Sequence, residues 1–279
     1  MAFFISCGMP ESSREVRVAA FIEAMNKKTK ELRMDSSVFT TPSGQGITSH
    51  TTASDLLGLL QEAVGHREIM AVWGKKSHKF SVGGKEARDI ELITTVKQET
   101  LESEYEIIGG KTGMWTCDGY DQHNLVMVAR SKSTGRIYAG AILGADSADG
   151  RFSSMHELFR VADGCADEVL RAVSAAVIEL DSDFAPKGDA IYTKNEDRMH
   201  IPASVAKVLS IVTALEYIDS LDETVEIEAK DIQGGSGAKH FEGDRLTVGE
   251  IIHSMLLPSS NTCAYALASL VGGIILEKK

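Results

Sequence analysis

Several features that mark other classes of protein are scarce in this sequence. Only four of its 279 residues are cysteines, and Cys7, Cys117, Cys165 and Cys263 form no C-x-x-C pair or Cys/His ligand spacing. We therefore expect neither a zinc site nor a disulfide framework, and no cofactor. No stretch reaches the run of about 18 apolar residues that a membrane span needs.

Positive charge is also in deficit. The net charge of -11 argues against nucleic acid and anionic membrane surfaces as partners. With 43% hydrophobic residues, 5 prolines and no repeat, the chain has the composition of an ordinary globular protein of one large or two modest domains. The opening stretch MAFFISCG is apolar but short and lacks basic residues, so it does not look like a signal peptide as it stands.

Residue patterns predict strands in the middle of the chain and helices towards both ends. Apolar residues at helical spacing predict helices over 15–32, 52–64 (with Thr52 as the cap), 153–162, 166–173 and much of the chain after Ser204. Short β-branched runs between turn residues predict strands over 90–98, 123–131, 135–145, 175–183 and 190–196. This layout indicates a sandwich core with a helical part split between the termini.

Ser204 and Lys207 stand at the head of the apolar stretch IPASVAKVLSIVTALEYI. At positions i and i+3 of a helix two side chains share a face, so this hydroxyl and amine can meet. Pro202 suits a helix start, where peptide N–H groups point at whatever the serine attacks. Such a spacing also arises by chance, since Ser236 and Lys239 repeat it in a glycine-rich loop. Spacing alone therefore does not identify a nucleophile.

Two further triplets change this assessment. PSSNT places Ser259 and Asn261 directly after an apolar helix, and IIGGKTGMW places K-T-G, beginning at Lys111, after an extended run. Each alone is compatible with an ordinary role, S-x-N as a helix cap and K-T-G as a turn. Together, S-x-x-K, S-x-N and K-T-G are typical of penicillin-binding proteins and class A β-lactamases.

On these motifs the chain resembles the serine D-alanyl-D-alanine carboxypeptidases, low-molecular-mass penicillin-binding proteins of the serine β-lactamase-like superfamily. The likeness extends to longer blocks, among them LTVGEIIHSMLLPSSNTCAYALA, FIEAMNKKTKELRMDSSVFTTPSG and HTTASDLLGLLQEAV. The resemblance implies an α/β fold: a three-layer sandwich, with helices on both faces of an antiparallel sheet, plus an all-helical subdomain.

The order of the blocks departs from the family. There the serine block comes first and the K-T-G strand near the end, whereas here Lys111 precedes Ser204. This order indicates a circular permutation, with old ends joined within 162–173 and new ends opened between Leu267 and Phe21. We then expect a contiguous sandwich subdomain at 85–203 and a helical subdomain formed by 1–84 and 204–279.

The resemblance also implies an acyl-enzyme mechanism. Ser204 would attack the terminal D-Ala-D-Ala peptide bond, with a neutral Lys207 as its base. That neutral form needs a pKa lowered by burial and nearby positive charge. By family analogy Lys111 supplies the charge and, with Thr112, docks the substrate carboxylate.

The remaining site residues follow from the same resemblance. Ser259 would relay a proton to the leaving amine, and Asn261 would hold the substrate amide or the base. Backbone N–H groups of Ser204 and Met114 would form the oxyanion hole. Gly113 is expected to leave room for a substrate lying along the strand. KTGMWT is one residue longer than the family pattern, which leaves the register near the oxyanion hole open.

Related activities are less well supported by the sequence. A class A β-lactamase needs an E-x-x-L-N glutamate, which the sequence lacks, and class C enzymes have tyrosine where Ser259 stands. We therefore favour a carboxypeptidase, while a β-lactamase, an esterase or glutaminase, and a non-catalytic module that holds β-lactams or peptides stay open. The expected partners are peptidoglycan peptides and β-lactams, which places the protein outside the cytoplasm, in the periplasm or at the cell surface.

Overall fold

The computed structural model describes residues 13–96, 99–117, 120–165 and 170–278. Its helices are α1 (Arg14–Glu31), α2 (Ala53–Gly65), α3 (Arg67–Trp73), α4 (Glu99–Glu104), α5 (Gly150–Ala162), α6 (Ala206–Leu215), α7 (Val248–Leu256) and α8 (Asn261–Glu277). Its strands are β1 (Ser77–Val82), β2 (Arg88–Ile93), β3 (Tyr105–Cys117), β4 (Tyr120–Ser131), β5 (Ile137–Ala145), β6 (Ser174–Leu180), β7 (Tyr192–Lys194), β8 (Thr224–Glu226) and β9 (Arg245–Thr247).

The main sheet is antiparallel and follows the order β3-β4-β5-β6-β7. Its inner strands are apolar on both faces because helices cover both, with α2 against β5 and β6 on one side and α5 against β4 and β5 on the other. Alternate residues of β4 accordingly enter different apolar clusters, Val126 on the α2 side and Leu125 on the α5 side. The α/β sandwich implied by the resemblance is therefore confirmed.

The helical part is built around α6. Every residue of α6 from Ala206 to Ala214 is buried, because α1, α2, α7 and α8 surround it. α7 begins with a capping box in which Thr247 and Glu250 bond each other's backbone N–H groups. Within the described residues, no helix is both long and apolar enough to cross a bilayer.

Most predicted elements are present, with local differences. Thr52 caps α2 by accepting a hydrogen bond from Asp55 N, as predicted. A helix was predicted over 166–173. Residues 166–169 lie outside the described residues, and 170–173 are not helical, so the prediction is wrong for 170–173. There Val173 N donates to Gly144 O, which leads the chain into β6. The strand predicted over 90–98 ends at Ile93, while 97–98 lie outside the described residues.

The predicted new chain ends fall on helices that are in contact. α1 packs tightly on α8, since a Cβ atom on Gly272 would lie 1.8 Å from Arg17 O. New ends that were opened by cutting one connection would lie on neighbouring elements, as these two helices do. α2, assigned above to the helical subdomain, contributes to the same core as the sheet. The permutation and the subdomain bounds stay predictions.

Candidate active site

Ser204 lies in a 3-10 turn, Ala203–Val205, that runs directly into α6. Lys207 occupies the first turn of α6, and its Nζ lies 2.7 Å from Ser204 Oγ. The lysine side chain is fully buried, whereas the serine is only partly buried. A ligand can therefore reach the hydroxyl while the amine stays away from water.

Two left-handed backbone conformations flank this pair. Ala203 has a φ of 49° and Ser259 a φ of 70°, although neither is glycine. Such strained residues persist only where surrounding structure holds them, and they are common at functional sites.

Oxygen atoms surround the Lys207 amine. Its Nζ lies 2.7 Å from Asn261 Oδ1, 3.4 Å from Ser259 Oγ and 3.4 Å from Ser43 O. Asn261 and Ser259 were predicted from the sequence. Ser43 was missed, because a backbone carbonyl in a loop leaves no residue-type signal.

Lys111 reaches the same place from β3. Its Nζ lies 2.9 Å from Ser259 Oγ and donates to Thr112 O at 2.9 Å. The three triplets, far apart in the chain, thus bring their side chains together around Ser204.

Burial controls the protonation of both amines. It lowers the pKa of Lys207 to about 7. Burial, with repulsion from Lys207 and Arg151, lowers the pKa of Lys111 well below its ordinary value. Burial is the largest cause for both amines, and the repulsion between Lys111 and Lys207 disfavours a state in which both are protonated. That the Lys111 charge depresses the pKa of Lys207 stays a prediction. A neutral amine beside Ser204 is accessible near neutral pH.

Gly113 has a second role beside the one expected. A Cβ atom there would lie 2.9 Å from Pro202 O and 3.3 Å from Ala203 Cβ. Glycine lets the serine-bearing turn lie directly against β3, in addition to any space that it leaves for substrate.

The strand runs through K-T-G without interruption. Gly113 pairs with Asn124, Met114 with His123, and the pairing continues to Cys117. The extra residue of KTGMWT therefore makes no bulge at this point in β3. Met114 is exposed, and Thr112 Oγ1 lies 2.7 Å from Thr95 Oγ1.

Asn124 is a buried site residue that the sequence reasoning missed. Its amide donates to Ile201 O at 2.9 Å and to Pro202 O at 3.2 Å, and it accepts from Gly144 N at 3.1 Å. It thereby ties the segment before Ser204 to β4. An asparagine in a predicted strand carries no pattern that reveals such a role.

Arg151, at the start of α5, was also missed. Its Nη1 donates to Gly113 O at 3.3 Å, and its Nε has no hydrogen-bond partner in the part of the chain that the structure describes. Burial lowers the pKa of the guanidinium to about 10, so it stays charged at neutral pH. A guanidinium that stays charged beside K-T-G is suited to an anionic ligand.

The second S-x-x-K match is a chance occurrence of the spacing. Ser236 and Lys239 are exposed, and Lys239 Nζ lies 4.8 Å from the centroid of the Phe241 ring. The loop backbone nevertheless contributes to the site, because Asn261 donates to Gly234 O at 2.8 Å.

Comparisons with known proteins agree with this geometry. Residues 172–276 match the model of the Beta-lactamase enzyme family. D-alanyl-D-alanine carboxypeptidase DacF of Bacillus subtilis (strain 168) is 28% identical over 107 residues, which cover 37% of this chain and 26% of the relative. Both matches support the superfamily of serine β-lactamases and penicillin-binding proteins.

The superfamily match contains part of the site. Ser204, Lys207, Ser259 and Asn261 fall within residues 172–276, while Lys111 lies before them in the chain. The aligned region spans about a quarter of the carboxypeptidase. No solved structure matches the chain.

Proposed function

We propose that this protein is a serine D-Ala-D-Ala carboxypeptidase that acts on peptidoglycan stem peptides through an acyl-enzyme and is acylated by penicillin. One observation carries the proposal. A reachable hydroxyl, Ser204 Oγ, lies 2.7 Å from a buried amine, Lys207 Nζ, whose pKa is lowered to about 7. A nucleophile and base within hydrogen-bond distance are what acyl transfer requires.

In the first step Ser204 Oγ bonds to the carbonyl carbon of the terminal peptide bond. Lys207 takes the hydroxyl proton, and the carbon–nitrogen bond to the last D-alanine then breaks. Ser259 contacts both lysines, so it passes the proton to the leaving amine. Water then attacks the ester carbon, with Lys207 again the nearest base, and Ser204 leaves with a proton.

Charge on the tetrahedral intermediate needs hydrogen-bond donors. We assign this role to the backbone N–H groups of Ser204 and Met114. The close approach of β3 to the serine turn at Gly113 supports the assignment. Loss of one such donor costs about 3 kcal/mol in other acyl-transfer enzymes.

The substrate carboxylate needs a cation. Lys111 was the candidate from sequence, and burial lowers its pKa well below the ordinary value. Arg151 stays charged at neutral pH and contacts Gly113 O, so we assign docking of the carboxylate to Arg151, together with Thr112 and Lys111.

A β-lactamase is the second candidate, favoured by the match to the Beta-lactamase enzyme family. The absence of an E-x-x-L-N glutamate for the deacylating water argues against fast penicillin hydrolysis. The proposed substrates lie outside the cytoplasm, so we place the protein in the periplasm or at the cell surface.

The test compares two reactions of the same preparation. D-alanine release from a peptide ending in D-Ala-D-Ala is measured beside penicillin hydrolysis, for the wild type and Ser204→Ala. The proposal predicts D-alanine release that Ser204→Ala abolishes, with slow penicillin turnover. Fast penicillin hydrolysis with little D-alanine release would identify a β-lactamase, and binding without either reaction would identify a non-catalytic module.

A further inference from the structure

We propose that Cys263 and His240 form a buried positioning pair that holds the glycine-rich loop, residues 233–241, on α8 and thereby sets the place of Asn261. The inference rests on the proposed function, because it gives the pair a role in acylation. Cys263 Sγ lies 3.4 Å from His240 Nε2, and both side chains are buried behind the site.

The loop supplies two of the contacts that fix Asn261. Its side-chain amide donates to Gly234 O at 2.8 Å, and its backbone N–H donates to Ser236 O at 3.2 Å. The loop packs closely against the start of α8, since a Cβ atom on Gly237 would lie 2.4 Å from Ser260 Cα. A shift of the loop must therefore move Asn261 or break these bonds.

The loop is held at its two ends. Residues 234–237 are exposed. At one end Gln233 N donates to Thr262 Oγ1 at 3.1 Å. At the other end the contact between His240 and Cys263 joins the loop to the next residue of the same helix. The exposed part of the loop depends on these anchors for its position.

Hydrogen bonds from Arg88 fix the residues around His240. Arg88 donates to both carboxylate oxygens of Asp244, at 2.9 and 2.7 Å, and to Lys239 O at 2.8 Å. Asp244 Oδ2 in turn lies 3.6 Å from His240 Nδ1. The imidazole thus lies between a fixed carboxylate and the thiol, and its Nδ1 makes no hydrogen bond within the described residues.

Protonation defines how the pair bonds. Burial raises the pKa of Cys263 to about 11 and lowers the pKa of His240, so the thiol and a neutral imidazole coexist at neutral pH. With the ring proton on Nδ1, the nitrogen nearer Asp244, Nε2 can accept a hydrogen bond from the thiol. A protonated, buried thiol is a poor nucleophile, and this leaves positioning as its role.

The link to chemistry runs through Asn261. Its Oδ1 lies 2.7 Å from Lys207 Nζ, where an oxygen acceptor favours the ammonium form. The other groups facing this amine are Ser204, Ser259 and the Ser43 carbonyl, with Lys111 as the second amine and Cys263 close enough to contribute. Displacing Asn261 should therefore lower the pKa of Lys207 and move the acylation profile to lower pH.

The experiment uses Cys263→Ala, Cys263→Ser and His240→Ala in the full chain. The readouts are the Lys207 pKa, from a carbon-13 NMR titration of the lysine side chains assigned with Lys207→Met, and the pH dependence of acylation by a fluorescent penicillin. We expect both alanine variants to lower the Lys207 pKa, and to lower the plateau rate of acylation about threefold to tenfold because the amine becomes a weaker base. Cys263→Ser keeps a donor and should restore both properties.

The control is Thr213→Val on α6, which removes a buried hydroxyl that has no partner among the described residues. It should leave both readouts unchanged, even if its unfolding midpoint falls as far as that of Cys263→Ala. An unchanged Lys207 pKa and acylation rate in Cys263→Ala would overturn the inference. If the wild type is not acylated at all, the proposed function fails, and the NMR titration still decides whether the pair positions Asn261.

Discussion

Lys111 Nζ and Lys207 Nζ both lie within hydrogen-bond distance of one oxygen, Ser259 Oγ, at 2.9 and 3.4 Å. Two ammonium groups next to one buried oxygen repel each other strongly. The two lysines are therefore not both charged near neutral pH. In the mechanism that we propose, this arrangement activates the hydroxyl of Ser204.

Acylation should depend on pH through Lys207. Its pKa of about 7 means that the neutral, proton-accepting form increases as the pH rises through that value. The rate of labelling by a fluorescent penicillin should therefore rise between pH 6 and 8, with a midpoint near 7, and then level off. A rate that is flat across this range would show that another group is the base.

Stability should also change with pH, in a defined direction. Between about pH 7 and its ordinary pKa of 10.5, Lys207 carries a proton in the unfolded chain but not in the folded one. The free energy of unfolding should then rise with pH in this window, by about 1.4 kcal/mol per pH unit for one lysine. Lys111 acts in the same direction.

Denaturant unfolding at several pH values measures this slope. Lys207→Met should reduce it, because the group that takes up the proton on unfolding is gone. An equal slope in the variant and the wild type would mean that Lys207 is charged in the folded protein.

Arg151→Gln tests recognition of the substrate carboxylate. Loss of hydrogen bonds to a charged group should lower kcat/KM for a D-Ala-D-Ala peptide about tenfold to a hundredfold. A peptide amidated at its C-terminus should be affected much less. Arg160→Gln, in the last turn of the same helix, should have no effect. Equal losses for both peptides would remove Arg151 from carboxylate docking.

Asn124→Ala tests whether the segment before Ser204 must be fixed to the sheet. The variant leaves the Gly144 N–H without its acceptor and removes one donor from each of the Ile201 and Pro202 carbonyls, which should cost about 1–3 kcal/mol of stability and slow acylation. Asn26→Ala is the matched control, since Asn26 also bonds three backbone groups, from Ile22 and Phe39, away from the site. It should lower stability without slowing acylation of the folded protein; comparable rates in both variants would contradict the role of Asn124.

Much of this site could be predicted because its chemistry depends on residue types at fixed spacing. Ser204 and Lys207 lie three residues apart where a helix begins, and the S-x-N and K-T-G triplets lie where elements end or run extended. Residues whose role depends on where they point left no such signal. Asn124 looks like any polar residue in a strand, and Arg151 like any cation at a helix start.

The site residues were easier to predict than the physical causes of the lowered lysine pKa values and of the glycine at 113. A sequence shows that two lysines exist but not how deeply each is buried, and burial is the larger cause of both lowered pKa values. Similarly, glycine at 113 indicates a close approach without naming the partner, which is the Pro202 carbonyl.

The most direct test is the intact mass of the protein after brief incubation with benzylpenicillin, followed by peptide mapping. The proposal predicts one adduct with the full mass of penicillin, located on Ser204 and absent from Ser204→Ala. An unmodified wild type, or an adduct that persists in Ser204→Ala, would contradict it.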